Sequence, residues 1–328
     1  MKRFILWLTG TFAVLAIITV SAFKLSPWPS VAVFSYLFSK ADQASEAALE
    51  KHVPAGIVTQ RGLAYGNGPD ETFDVNYPEG TDGPRPTIVW VHGGGWIGGS
   101  TEGIANYMKV LAGHGFTTVA VEYSTGYGAT YPKPVEQVNA ALGYLVNHAA
   151  DFHIDPGAIV LAGDSAGAQI VGQIALITTD PAYAHRLGIA PELDPNQLSA
   201  LLLLSGAYDL TALDFNGDYA WFLNTVLWAY SGVENFLEDE RFRLLSVSNY
   251  VTSAFPPSFI SSGNGDPLAP QAIALTKKLD SLGVRVDQLF FPEHQPPLPH
   301  EYQFNLDDSA GQQAMNRMLA FLYSLRKQ

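Results

Sequence analysis

The chain has 328 residues, with 18 basic and 31 acidic side chains and a net charge of −13. A surface of that sign repels phosphate backbones, so nucleic acid is not an expected partner. Cysteine is absent, which excludes disulfides, thiolate nucleophiles and cysteine-ligated metals.

The first element is an uncharged apolar run from Phe4 to Phe23 that follows "MKR". As a helix, it would span about 30 Å, the thickness of a bilayer's hydrocarbon core. Residues 1–23 are therefore expected to be a transmembrane anchor or a signal peptide. Lys2 and Arg3 predict that the N-terminus stays in the cytoplasm and the remainder crosses. The small residues Val20-Ser21-Ala22 fit a signal-peptidase site, which would leave a secreted or periplasmic protein. The run is longer than most signal h-regions, which favours a retained anchor. "SPWPS" (Ser26 to Ser30) breaks this helix, and Ser30 is the expected cap of a second one reaching about Lys51. Its apolar positions Phe34, Leu37, Phe38, Ala41, Ala44 and Ala48 recur at helical spacing. Residues 24–56 thus read as a linker and amphipathic helix, either packed on the body or forming a lid or membrane-surface element.

From Ile57 strands alternate with helices. "IVTQRGLAYG" and "ETFDVNYP" read as a leading antiparallel pair. "TIVWVH", "FTTVAVEY", "AIVLAG", "LSALLLLS", "PSFISSG" and "VRVDQLFF" are short apolar runs of the kind buried on both faces of a parallel sheet. Helices are expected near 103–113, 134–150, from Ser165 onward, and 307–325. This alternation predicts an α/β fold, a mostly parallel central sheet with helices on both faces. Reactive groups in such folds collect beyond the carboxyl ends of the strands.

Gly163-Asp164-Ser165-Ala166-Gly167 is a G-x-S-x-G between a predicted strand and helix. That sharp turn lifts a serine hydroxyl clear of the sheet, while the helix directs free N–H groups at a developing anion. Serine needs a base, and the base needs an orienting carboxylate. His294 and His300 both follow the last strand; His300, in "LPHEYQF" just before the final helix, is the stronger candidate, and His185 reads as a surface residue. For the acid, Asp266 in "SSGNGDPLAP" is preferred to Asp209 in "SGAYDL", which suits a capping role. "VHGGGWIGG" (Val91 to Gly99) bares backbone where an oxyanion would need donors, alongside the N–H of Ala166. No G-x-x-x-x-G-K-[ST] supports a phosphate cradle, and no H-E-x-x-H or similar pattern supports a metal; no cofactor is expected.

Together "HGGGW", "GDSAG", "GNGDPL" and "HEYQF" resemble the α/β-hydrolase superfamily, and within it the hormone-sensitive-lipase-like carboxylesterases and lipases. The likeness runs from about Gly62 to the C-terminus. It implies an α/β-hydrolase fold over residues 57–328 and a small-molecule ester substrate. Ser165 would be the nucleophile, Asp266 the acid, His300 the base, and Gly94, Gly95 and Ala166 the oxyanion donors. Gly93 would serve the turn, with His92 and Trp96 positioning the loop. An amidase, arylformamidase or acyl-peptide hydrolase would use the same groups, and a non-catalytic ligand-binding relative is the rival from another class. The chain departs from the family's pattern at Tyr123-Ser124-Thr125, where an arginine often stands, and in the long loop Glu293 to Pro299. An aromatic-rich insert at about 208–250 is expected either to pack in the core or to cap an acyl pocket.

Overall fold

A computed structural model describes residues 2–325 of the protein. Two helices lead, α1 (Lys2–Leu25) and α2 (Trp28–Leu49). Then come β1 (Ile57–Ala64), β2 (Thr72–Pro78), β3 (Arg85–Val91), α3 (Ala105–Gly113), β4 (Thr117–Val121), α4 (Lys133–Asn147) and β5 (Ile154–Asp164). The chain continues through α5 (Ser165–Thr179), α6 (Pro181–Leu187), β6 (Leu198–Leu204), α7 (Ala220–Ser231), α8 (Glu240–Arg243) and β7 (Ser258–Ser262). It closes with α9 (Ala269–Ser281), β8 (Val286–Phe290) and α10 (Ser309–Leu325).

The eight strands form one sheet in the order β1-β2-β4-β3-β5-β6-β7-β8. β2 runs antiparallel to both β1 and β4, and every later pairing is parallel. Period-two alternation divides the core in two. Val89, Val91, Leu161, Leu201, Leu203 and Ile260 face one side, where α4, α5 and α9 bring Leu142, Ile170, Ile174 and Leu275. Ile88, Trp90, Val160, Leu202 and Phe259 face the other, against Met108 and Leu111 of α3 and Met315 and Phe321 of α10. Burial on both faces explains why these strands read as continuous apolar runs.

α1 contains a 19-residue apolar stretch, Trp7–Leu25, none of it buried against the rest of the protein. α2 starts ahead of the expected cap. Ser30 lies inside the first turn and is 1% exposed, whereas the Ser26 hydroxyl accepts the N–H of Trp28 at 3.3 Å. Pro29, lacking an N–H, suits a first turn that has no acceptor to offer, so the helix begins before it. α2 packs on the body: Ser35 donates to the carbonyl of Ile97 at 2.8 Å, and the N–H of Asn106 reaches the Glu46 carboxylate at 2.9 Å.

Candidate active site

The carboxyl ends of β3, β5, β7 and β8 meet at one edge of the sheet, and the connections leaving them carry the candidate residues. Ser165 opens α5 directly after β5 with φ of 50°, a left-handed conformation rare for a side chain larger than glycine. Packing holds it there. A Cβ at Gly167 would lie 2.0 Å from the carbonyl oxygen of Val91, so only glycine lets α5 approach the end of β3 this closely.

Ser165 and His300, 135 positions apart, meet with Oγ and Nε2 at 3.0 Å. On the other side of the ring, Nδ1 lies 3.0 Å from Oδ2 of Asp266. The two atoms are within ion-pair distance without full hydrogen-bond geometry. Such bonds commonly tighten when substrate binds. Asp266 itself is fixed: Oδ2 accepts from the Ser262 hydroxyl at 2.7 Å, and Oδ1 from the N–H of Leu268 at 2.8 Å. Burial pushes its pKa up, but the adjoining His300 and these donors outweigh burial and hold it below the ordinary carboxylate value.

The other candidates lie elsewhere. His294 turns Nδ1 to the carbonyl of Pro296 at 2.9 Å, and Asp209 accepts from the N–H and hydroxyl of Thr211. His185 is exposed at the end of α6.

The glycine loop leaves β3 beside this group. Gly94 has φ of 108°, and its carbonyl accepts from the N–H groups of Ile97 and Gly98, which folds the loop back on itself. Among the described residues, the N–H groups of Gly94, Gly95 and Ala166 donate to no protein acceptor. Gly93 does more than turn the chain, since its N–H donates to Oδ2 of Asp164 at 2.8 Å and ties the loop to the residue before Ser165. His92 stacks on Tyr123 with ring centroids 4.4 Å apart and pairs with Glu122 at 3.1 Å. Burial alone would lower the His92 pKa, but the Glu122 carboxylate raises it overall. Trp96 stacks on Tyr230 of α7, and its indole N–H reaches Gln169 at 3.2 Å. Where the family often has arginine, Ser124 is held by Gln137, which accepts the Ser124 N–H and donates to its hydroxyl, both at 2.9 Å.

The aromatic insert divides. Phe215, Phe236 and Phe242 pack on one another. Phe222 instead reaches the glycine loop, with its ring edge 3.3 Å from where a Gly95 Cβ would lie, and meets Phe34 and Phe38 of α2.

The BD-FAE family model matches residues 73–279, a span containing the glycine loop, Ser165 and Asp266. The chain belongs to the BD-FAE family. With the α/β-hydrolase sheet described above, this places it among the hormone-sensitive-lipase-like carboxylesterases. An esterase of Gibberella moniliformis is 28% identical over 251 residues, covering 72% of this chain and 74% of the relative. Carboxylesterase NlhH of Mycobacterium tuberculosis is 27% identical over 279 residues, covering 82% and 83%. Among solved structures, esterase B from Lactobacillus rhamnosis superposes with a TM-score of 0.78 at 21% identity, covering 92% of this chain and 95% of that one.

In this BD-FAE member two further acids stand beside the triad candidates, and sequence reading missed both. Asp164 is buried, accepting from the indole N–H of Trp90 at 2.7 Å as well as from Gly93. Glu301, in a left-handed conformation with φ of 58°, brings Oε1 to 3.6 Å from His300 Nε2. Burial, and then the neighbouring Glu301, push the Asp164 pKa far above the usual carboxylate range. Burial opposes charge on His300, but the carboxylates of Glu301 and Asp266 outweigh it and raise its pKa to about 9. Asp164 was visible only as the variable position of G-x-S-x-G, and Glu301 only as the neighbour of a histidine.

Proposed function

We propose that the protein is a serine carboxylesterase acting through an acyl-enzyme, with Ser165 as nucleophile, His300 as base and Asp266 as orienting acid. The observation that carries this reading is the 3.0 Å approach of Ser165 Oγ to His300 Nε2, with Asp266 at 3.0 Å behind the ring. His300 takes the hydroxyl proton as Oγ attacks the ester carbonyl, and Asp266 stabilises the imidazolium that forms. The N–H groups of Gly94, Gly95 and Ala166 receive the oxyanion; their lack of protein acceptors supports this assignment. Collapse of the tetrahedral species expels the alcohol, which carries away the proton from His300. Water deprotonated by the same imidazole then clears the acyl group. The esterase names of the relatives favour an ester over an amide as substrate.

Residues 1–23 serve, in this reading, as a retained membrane anchor with the catalytic domain, residues 57–328, outside the cytoplasm. Support comes from the unburied apolar stretch of α1 and from Lys2 and Arg3 ahead of it. Sequencing the N-terminus of the mature protein tests retention, and a start at Phe23 rules it out. The catalytic assignment is tested by Ser165→Ala. Hydrolysis of a short-chain aryl ester should fall at least about 10³-fold with the fold unchanged, and undiminished turnover removes Ser165 from the mechanism.

A further inference from the structure

We propose that the catalytic body rests on the lipid bilayer through a second surface, the outward ridge of α2 with Tyr127 and Trp221 on its flanks. This rests on the membrane-anchor reading of α1 and extends it from a tether to a fixed orientation. α2 is not a loose linker. Ser30 and Val31 are buried, and Ser35, Phe34 and Glu46 are bonded to or packed against the body. Its outward face nevertheless changes character along its length. The first half presents Val33, Tyr36 and Leu37, which are 42%, 63% and 53% exposed. From Lys40 onward the exposed positions are Lys40, Ala41, Gln43, Ala44, Ala47 and Ala48, polar or small. A helix facing only water has no reason to concentrate its large apolar side chains at one end of its solvent face.

The flanks repeat the pattern. The ring of Tyr127, 86% exposed, lies against Trp28 at 5.0 Å. Trp221, 57% exposed, lies against Phe34 at 4.7 Å. Trp28 and Phe34 are six positions apart, about 120° around the packed side of the helix, so the two rings flank the ridge from either end of the wider outward arc. Tyrosine and tryptophan, each with an apolar body and one polar atom, are the side chains that settle at a membrane–water interface.

Position decides the occupant. Only Ser26 and Pro27 separate α1 from α2, and so short a link spans about 10 Å at most. Leu37 lies nine residues beyond Trp28, about 14 Å along the helix. The ridge therefore begins where the apolar stretch of α1 ends, at the depth of the headgroups of the membrane that α1 enters. A soluble partner or a second copy would have to occupy that same layer. Exposed Lys24 and Lys40 stand at the two ends of the apolar segment, where their stems can lie along it and their ammonium groups reach lipid phosphates. Behind the ridge, Phe222 packs on both Phe34 and the glycine loop. One aromatic ring thus separates the lipid-facing helix from the candidate oxyanion donors.

The absence of cysteine makes the test direct. Nitroxide labels on Tyr36→Cys, Leu37→Cys, Tyr127→Cys and Trp221→Cys would be read in the full chain, reconstituted into phosphatidylcholine nanodiscs. Leu15→Cys in α1 and Glu192→Cys, ahead of β6 at the opposite edge of the sheet, are the references. Collision with oxygen relative to a water-soluble nickel chelate should be severalfold higher at the four ridge positions than at 192. Water-like ratios at the ridge with a lipid-like ratio at 15 overturn the proposal and leave the anchor standing. Water-like ratios at 15 as well overturn both. Protection of the ridge from both reagents shows that protein covers it, and also overturns the proposal.

Discussion

Glu301→Gln should make the enzyme faster at neutral pH. In the proposed mechanism His300 must be neutral to accept the Ser165 proton, yet its neighbours hold its pKa at about 9. Activity should therefore fall about tenfold for each pH unit below that value, as the neutral fraction shrinks. Glu301 Oε1 lies 3.6 Å from Nε2. Two unit charges at that distance attract by about 1 kcal/mol if water screens them fully and by about 5 kcal/mol at an effective dielectric of about 20. The two side chains are 34% and 30% exposed, which places the pair toward the weak end. Loss of Glu301 also lets Asp164 ionise more readily, returning part of the negative charge from farther away. The net expectation is an acid limb of kcat/KM displaced about one pH unit lower, and about tenfold more activity at pH 7. The assay is kcat/KM against pH on a water-soluble aryl ester, with Ser165→Ala subtracted as background. An acid limb that stays in place, or moves to higher pH while the melting temperature is unchanged, refutes the argument. Stability has the opposite sign. The raised His300 pKa favours the folded state fully below the unfolded value of 6.5, and this contribution is lost as pH rises through about 9. In the proposed mechanism His300 becomes competent as a base where its support for the fold disappears.

Three other outcomes follow from the packing. Asp266→Asn keeps an acceptor for the N–H of Leu268 but cannot stabilise an imidazolium, so kcat should fall about 10⁴-fold with little change in the urea midpoint. Gly167→Ala places a methyl 2.0 Å from the Val91 carbonyl oxygen, backbone against which no side chain can yield. It should cost about 3 kcal/mol or more by denaturant titration and lower kcat as the start of α5 is displaced. Phe222→Ala removes the ring joining α2 to the glycine loop; a loss of about 2 kcal/mol and faster tryptic cleavage at Lys40 are expected, and unchanged cleavage would show that α2 is held by its other contacts alone.

The sheet was legible because burial on both faces leaves strands such as "TIVWV" and "ALLLL" with no polar interruption; these two fall within a residue or two of their observed bounds, while β5 begins four residues before the expected Ala158. The serine turn was legible for a different reason: a strand run into a helix at G-x-S-x-G leaves few conformations open. The start of α2 was misplaced because Ser30 looks like a cap in one dimension, while Pro29 favours an earlier start and the body buries that hydroxyl. The insert could not be divided beforehand, since Phe215 and Phe222 carry the same residue type and the difference lies in what each meets. Sequence spacing could nominate His300 over His294, but the two differ in the structure only through the direction of a loop, which turns His294 back on Pro296.

Asp164 and Glu301 mark where sequence reading stops for a physical reason. A buried carboxyl group is costly unless donors meet it, and the donors of Asp164 are an indole on β3 and an amide of the glycine loop. Neither belongs to a local pattern, because they are brought together only by the parallel pairing of β3 with β5, where Trp90 lies beside Ala162. The same carboxyl group joins the residue preceding Ser165 to the loop that carries the candidate oxyanion donors. Displacement of that loop would break the Gly93 hydrogen bond and leave an acceptor without its partner in the interior. The candidate donors are therefore held at their distance from Ser165 before any substrate arrives, as the proposed stabilisation of a developing charge requires.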